Sequence, residues 1–224
     1  MMPIIRLIRV LRILVLSVLF VPLVQASVTV QAAQNDVQDY ASLQRGASLF
    51  MRHCFGCHAM QYQRYQRVMG DLHLSDAQRQ AMLLLSPDPQ SQHTDKMVNT
   101  LTAASAQQWF GAVPADLTLT AKVHGTDWLY TYLHAFYPDD SRPLGVNNRL
   151  VPNVAMPHVL EPLQQRLRAE EYDQVVRDIV NFLDYSSDPS QLTRATLGYW
   201  VLGFLLLFLL LTLLLKKEYW RDVH

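Results

Sequence analysis

Apolar residues fall into five patterns along the chain, and each predicts a different element. In "DYASLQRGASLFMRHC", Leu43, Ala47, Leu49 and Phe50 recur at helical spacing, and Gly46 leaves room for a second helix to approach closely. In "EEYDQVVRDIVNFLDY", Val176, Ile179, Val180 and Leu183 stand at i, i+3, i+4 and i+7 with charges on the opposite side, a second amphipathic helix. These two helices are expected to cross at the glycine and to bury one side of a prosthetic group. "DWLYTYLHAFY", from Asp127 to Tyr137, reads as a third helix whose aromatic residues enter the core, with Tyr130 or Tyr132 available to a pocket.

The fourth pattern is uninterrupted. From Ala195 to Leu215 there is no charge, and these 21 residues, at ~1.5 Å each, match a hydrocarbon core of ~30 Å. Tyr199 and Trp200 at one end, and Tyr219 and Trp220 at the other, suit the headgroup layer. Asp188-Pro189-Ser190 breaks the chain just before this segment.

A shorter apolar run opens the chain. Arg6, Arg9 and Arg12 precede Ile13 to Val24, and Val24-Gln25-Ala26 is a small-residue cleavage pattern. It reads as a secretory signal cut near Ala26, with an uncleaved anchor as the alternative. Lys216, Lys217 and Arg221 follow the long span, so the positive-inside rule puts the tail in the cytoplasm. The expected organisation is a signal peptide over 1–26, a periplasmic domain over 27–190, an anchor over 191–215 and a cytoplasmic tail over 216–224.

Between Asp71 and Gln107 the chain is polar and irregular, with a loop from Ser86 to Lys96, and short helices with a surface excursion are expected. No segment is strand-rich enough to predict a sheet. The formal net charge of zero, from 19 basic and 19 acidic residues, argues against nucleic acid as a partner.

The candidate chemistry lies in "MRHCFGCHAM", which holds both cysteines of the chain, Cys54 and Cys57, with His58 directly behind. A structural disulfide gains most by closing a long loop, which this spacing does not do. A thioredoxin-like pair calls for a βαβ pattern that the surroundings lack, and structural zinc normally takes four protein ligands where this motif offers three. C-x-x-C-H is the attachment pattern of a c-type haem: one helical turn offers two sulfurs to the two vinyl-derived carbons, and the next residue aims an imidazole at the iron.

The sixth ligand is less determined. Met51 and Met60 are too near the attachment turn, and Met69, Met82 and Met97 lie in the polar middle segment. In "VPNVAMPHVL", Pro152 and Pro157 restrict the backbone on either side of Met156. A lone methionine also serves as gap-filling core, and His158 is a rival ligand two residues on. An open iron site would suit peroxide chemistry, whereas a thioether suits electron transfer.

Together, "RGASLFMRHCFGCHAMQYQRY", "GAVPADLTL", "GTDWLYTYLHAFY", "NVAMPHVL" and the terminal "KKEYWRDVH" resemble, in order, the cytochrome c1 family, haem subunits of bacterial ubiquinol:cytochrome c oxidoreductases. The resemblance implies an all-α, class I cytochrome c-like haem domain with a single C-terminal transmembrane helix. It implies one covalent haem c on Cys54 and Cys57, with His58 as proximal and Met156 as distal ligand. It implies a subunit beside cytochrome b and a Rieske iron-sulfur protein that passes one electron from the Rieske head to a soluble or membrane-bound cytochrome c, with no bond chemistry of its own. A free-standing tethered cytochrome donating to a terminal oxidase is the alternative.

Three departures from the family pattern bear on the pocket. Pro114-Ala115-Asp116 has one proline where two are usual, which is expected to loosen the loop bordering the haem. Lys122 stands where an arginine commonly meets a propionate, and "RPLGVNN" carries Leu144 and Val146 in place of a threonine and an aromatic residue. Tyr62, Arg64 and Tyr65 follow the motif closely enough to lie near a haem edge or a cytochrome b surface, but are read as solvated, structural residues.

Overall fold

A computed structural model describes residues 29–221 of the chain. The expected signal peptide, residues 1–26, lies outside the described residues, as do the last three residues of the tail.

The first amphipathic pattern forms α1 (Tyr40–His53). Asp39 caps it by accepting from the Ser42 amide at 3.0 Å. The second forms α8 (Ala169–Ser187). The two helices cross at Gly46: a Cβ there would lie 2.0 Å from the Asp178 carbonyl oxygen and 2.9 Å from Cβ of Phe182. Only a residue without a side chain permits that approach. Leu43, Ala47 and Phe50 of α1 meet Val176, Ile179, Phe182 and Leu183 of α8, all buried, and the Phe50 and Phe182 rings lie 5.5 Å apart.

At the same crossing Asp178 is buried with its partners in place. Its carboxylate accepts from Ser42 Oγ at 2.7 Å, from Arg45 at 2.6 and 2.9 Å, and from Gln174 at 2.8 Å. A buried carboxylate is tolerated when it is paired in this way.

Short elements fill the space between. They are α2 (Tyr65–Asp71), α3 (Asp76–Leu84), α4 (Ala103–Phe110), α5 (Thr120–His124), α6 (Thr126–His134) and α7 (Glu161–Arg166). Ser75 and Gln78 form a capping box at the start of α3, and Gly111, at φ 71°, ends α4.

Two small antiparallel ladders go beyond the sequence expectation. β1 (Met60–Arg64) pairs with β2 (Lys96–Met97), matching Met60 to Met97, and β3 (Phe136–Pro138) pairs with β4 (Val146–Asn148). Helix α6 therefore stops at His134 rather than reaching Tyr137. Pro138 has no amide hydrogen and biases Tyr137 towards extended backbone, which suits a ladder and not a helix. The methionines of the polar middle segment are core residues: Met69, Met82 and Met97 are buried, and Met97 pairs with Met60 across the β1–β2 ladder.

The last helix, α9 (Gln191–Tyr219), has 29 residues and none of them buried. It continues beyond Leu215 through Lys216 and Lys217, giving a length of about 44 Å at ~1.5 Å per residue. Among the described residues it is the helix long and apolar enough to cross a membrane. Asp188 ties its start to the preceding domain: the carboxylate meets Lys122 at 3.2 Å and also accepts from Arg194 and Ser190. Lys122 thus makes an ion pair with a residue just before the last helix.

Candidate functional site

The end of α1 builds the site. Cys54 closes the helix by donating its amide to the Phe50 carbonyl at 2.9 Å. Its own carbonyl then accepts from the amides of both Cys57, at 3.1 Å, and His58, at 2.9 Å. This tight turn brings both thiols and the imidazole to one cavity. Phe55 points the other way, fully buried against Phe50 and Tyr65, and so pins the turn to the core.

His58 is oriented from across the cavity. Its Nδ1 donates to the Ala115 carbonyl at 2.7 Å, which fixes the tautomer and leaves the Nε2 lone pair free. Burial lowers the imidazole pKa, opposed by that hydrogen bond and by nearby Asp116, so the ring is kept neutral as a metal ligand must be. Burial, with a smaller contribution from Cys57, pushes the Cys54 thiol up to about 12.

The loop that supplies Ala115 is tied down by hydrogen bonds despite having one proline fewer than the family pattern. The Asp116 carboxylate accepts from the Gln61 amide at 2.8 Å, and from the Thr118 amide and hydroxyl at 3.0 and 2.6 Å. Leu117 also donates its amide to the Ala59 carbonyl at 2.9 Å.

The opposite wall carries Met156 and Tyr132, and the cavity between holds about 760 Å³ of empty space, open mouth included. Phe110, Val113, Pro114 and Val154 complete a lining that is mainly apolar.

Met156 is delivered by a loop held from "RPLGVNN". The Asn148 side chain accepts from the amides of Leu150 at 2.9 Å and Val151 at 3.2 Å, and donates to the Tyr132 carbonyl at 2.8 Å. Asn147 accepts from the Asn153 amide at 2.9 Å. Arg142 grips Asn153, a left-handed residue at φ 64°, through its side chain and its carbonyl, each at 3.1 Å. These loop-holding residues escape a search for ligands, because their signal in the sequence is only a pair of asparagines between turns.

Cys54, Cys57, His58 and Met156 therefore line one cavity, and His158 does not. His158 stacks on Phe136 at 4.9 Å with the planes 1° apart, and its Nε2 lies 2.7 Å from Gln164 Oε1. Of the two tyrosines considered for the pocket, Tyr132 lines it and Tyr130 does not: Tyr130 bonds Asp173 on α8, with Arg177 over its ring. Behind the motif, Tyr62 is exposed, Arg64 donates to the Thr94 carbonyl at 2.7 Å, and Tyr65 is fully buried rather than solvated.

This donor set fits a haem c. Two thiols, a neutral imidazole with its outward nitrogen free, and a thioether converge on an apolar cleft, which is the set that attachment and axial ligation require.

Comparison with known proteins agrees with that chemistry. The model of the Cytochrome C1 family matches residues 31–223. Cytochrome c1 of Allochromatium vinosum is 44% identical, over 87% of this chain and 90% of its own length. The ammonia monooxygenase gamma subunit of Nitrosomonas europaea is 39% identical, over 93% of this chain and 97% of its own. The mitochondrial cytochrome c1 heme protein of Saccharomyces cerevisiae is 26% identical, over 83% and 68%. The chain belongs to the cytochrome c1 family, membrane-anchored electron-transfer proteins that carry covalently bound haem c.

Proposed function

We propose that this chain is the haem subunit of a quinol-oxidising bc1 complex, accepting one electron at a time from the Rieske iron-sulfur protein and passing it to a c-type cytochrome. The observation that carries the reading is the convergence of Cys54, Cys57, His58 and Met156 on one apolar cleft, with His58 already oriented by Ala115.

In this reading Cys54 and Cys57 would hold a haem c through their sulfurs, and His58, through Nε2, and Met156, through its sulfur, would serve as its ligands. When bound, the haem would supply a one-electron couple. The chain's own residues fix the His58 ring through Ala115 and keep the cleft apolar, which limits water and so the reorganisation that accompanies transfer. Neither His58 nor Met156 makes or breaks a covalent bond, which is why the subunit relays electrons and performs no bond chemistry.

The membrane arrangement follows from charge. Residues 1–26 act as a signal, 27–190 form the periplasmic haem domain, 191–215 the anchor, and 216–224 the cytoplasmic tail marked by Lys216, Lys217 and Arg221. Cytochrome b lies alongside the anchor.

The test is a reduced-minus-oxidised spectrum of detergent-solubilised membranes, a haem stain after denaturing electrophoresis, and affinity recovery of this chain. A stained band that brings down b-type haem and a Rieske protein supports the proposal. A stained band that comes down alone favours a free-standing cytochrome serving a terminal oxidase. Recovery with ammonia monooxygenase subunits would favour the association carried by the name of the Nitrosomonas relative. No stain would refute covalent attachment.

A further inference from the structure

The Tyr132 hydroxyl lies 3.4 Å from the sulfur of Met156, within hydrogen-bonding reach of a thioether. The side chain is built to hold that position. Its ring stacks on Trp128 at 5.2 Å with the planes 7° apart, and Phe136 closes the other side edge-on at 5.3 Å. Its backbone carbonyl accepts from Asn148, the residue that also holds the loop leading to Met156. The donor and the thioether are thus positioned through one shared residue.

We infer that Tyr132 is a positioning residue for the distal ligand, its hydroxyl donating to the Met156 sulfur and thereby raising the reduction potential of the haem. The inference rests on Met156 being that ligand. A thioether sulfur has two lone pairs; with one directed at the iron, the other can accept the phenolic hydrogen. Accepting it draws electron density from the sulfur, so the sulfur donates less to the ferric iron and the ferrous state is relatively favoured. Hydrogen bonds to ligand atoms are one of the means by which a protein sets such potentials. The same bond restrains a flexible methionine side chain, which otherwise samples several rotamers.

The experiment uses the full chain within solubilised membranes and reads two quantities: the midpoint potential by optical redox titration, and the ferric thioether-to-iron charge-transfer band. Tyr132→Phe removes the hydroxyl and keeps the stacked ring. The expected result is a lower potential with the band retained and shifted. An unchanged potential with the band retained would overturn the inference, leaving Tyr132 as packing. Loss of the band would also overturn it, because the hydroxyl would then be needed for ligation itself. If Tyr132→Phe does not accumulate holoprotein, a ring-fluorinated tyrosine at the same position decides: a stronger donor should raise the potential above wild type, and no rise would refute the role.

Met156→Leu separates this inference from the reading beneath it. If the band survives that substitution, Met156 is not the ligand and both fall. If Met156→Leu abolishes the band while Tyr132→Phe leaves the potential unmoved, only the role of Tyr132 fails.

Discussion

His58 donates its Nδ1 hydrogen to the carbonyl of Ala115, 2.7 Å away and 57 residues along the chain. The attachment motif fixes where the imidazole starts, but this contact fixes its tautomer and the direction of Nε2. The carbonyl is only as steady as its loop, and Asp116 steadies that loop through Gln61 and Thr118.

Asp116→Ala removes three charge-assisted hydrogen bonds from the strap beside His58. We expect a loss of about 1–3 kcal/mol in stability. Denaturant unfolding of the haem-loaded chain in detergent, followed by the Soret band, measures it. Wild-type stability in the variant would mean the loop is held by its backbone contacts alone.

Gly46→Ala places a methyl group where the Asp178 carbonyl already stands, 2.0 Å from its Cβ. Backbone cannot step aside as a side chain can, so α1 and α8 must separate. The expected cost is at or above the top of the ~1–3 kcal/mol typical of overpacking. The same unfolding assay reads it, and a cost below about 1 kcal/mol would show that the crossing tolerates separation.

Asn148→Ala strips the anchorage of the Met156 loop: the Leu150 and Val151 amides lose their acceptor, and the Tyr132 carbonyl loses one of its two donors and keeps the Ala135 amide. Groups left unsatisfied cost about 1–3 kcal/mol. The more specific expectation is a weaker thioether-to-iron charge-transfer band than wild type, since the loop no longer delivers the sulfur to a single place. A lost stability with the full band intact would place Asn148 in the scaffold only.

His134 gives the fold a pH dependence. Burial holds its pKa below the ordinary value; Asp173, 3.6 Å away, opposes this and Arg177 adds to it, while the rings of Tyr130 and Tyr172 pack on the imidazole. The unfolded chain therefore takes up this proton first on acidification, at about pH 6.5. Stability is full above that value and declines as pH falls from there toward the lower native pKa. His53 and His58 are shifted in the same sense, so the contrast with a variant isolates the contribution. His134→Gln should flatten part of the decline between about pH 7 and 5, measured by denaturant midpoints. An identical slope in both proteins would remove His134 from the account.

By itself the sequence determined whatever is local in the chain. The spacing of Cys54, Cys57 and His58 carries its chemistry within one turn, the charge-free run from Ala195 is long enough for a membrane, and the apolar periodicity of α1 and α8, with Gly46 between, foretold their crossing. Tertiary structure decided what depends on partners distant in sequence. Tyr130 and Tyr132 are indistinguishable in "LYTYL", yet a step of two residues, about 200° on a helix of 3.6 residues per turn, sends one to Asp173 and the other to Met156, 24 residues away. Met156 and His158 flank one proline, and only the folded loop turns the sulfur into the cleft and stacks the imidazole on Phe136. Met97 sits among polar neighbours in sequence and is nonetheless buried, because its ladder with Met60 brings it into the core. Periodicity and motif spacing are properties of a short stretch; hydrogen-bond partners and burial belong to contacts that form only when remote segments meet.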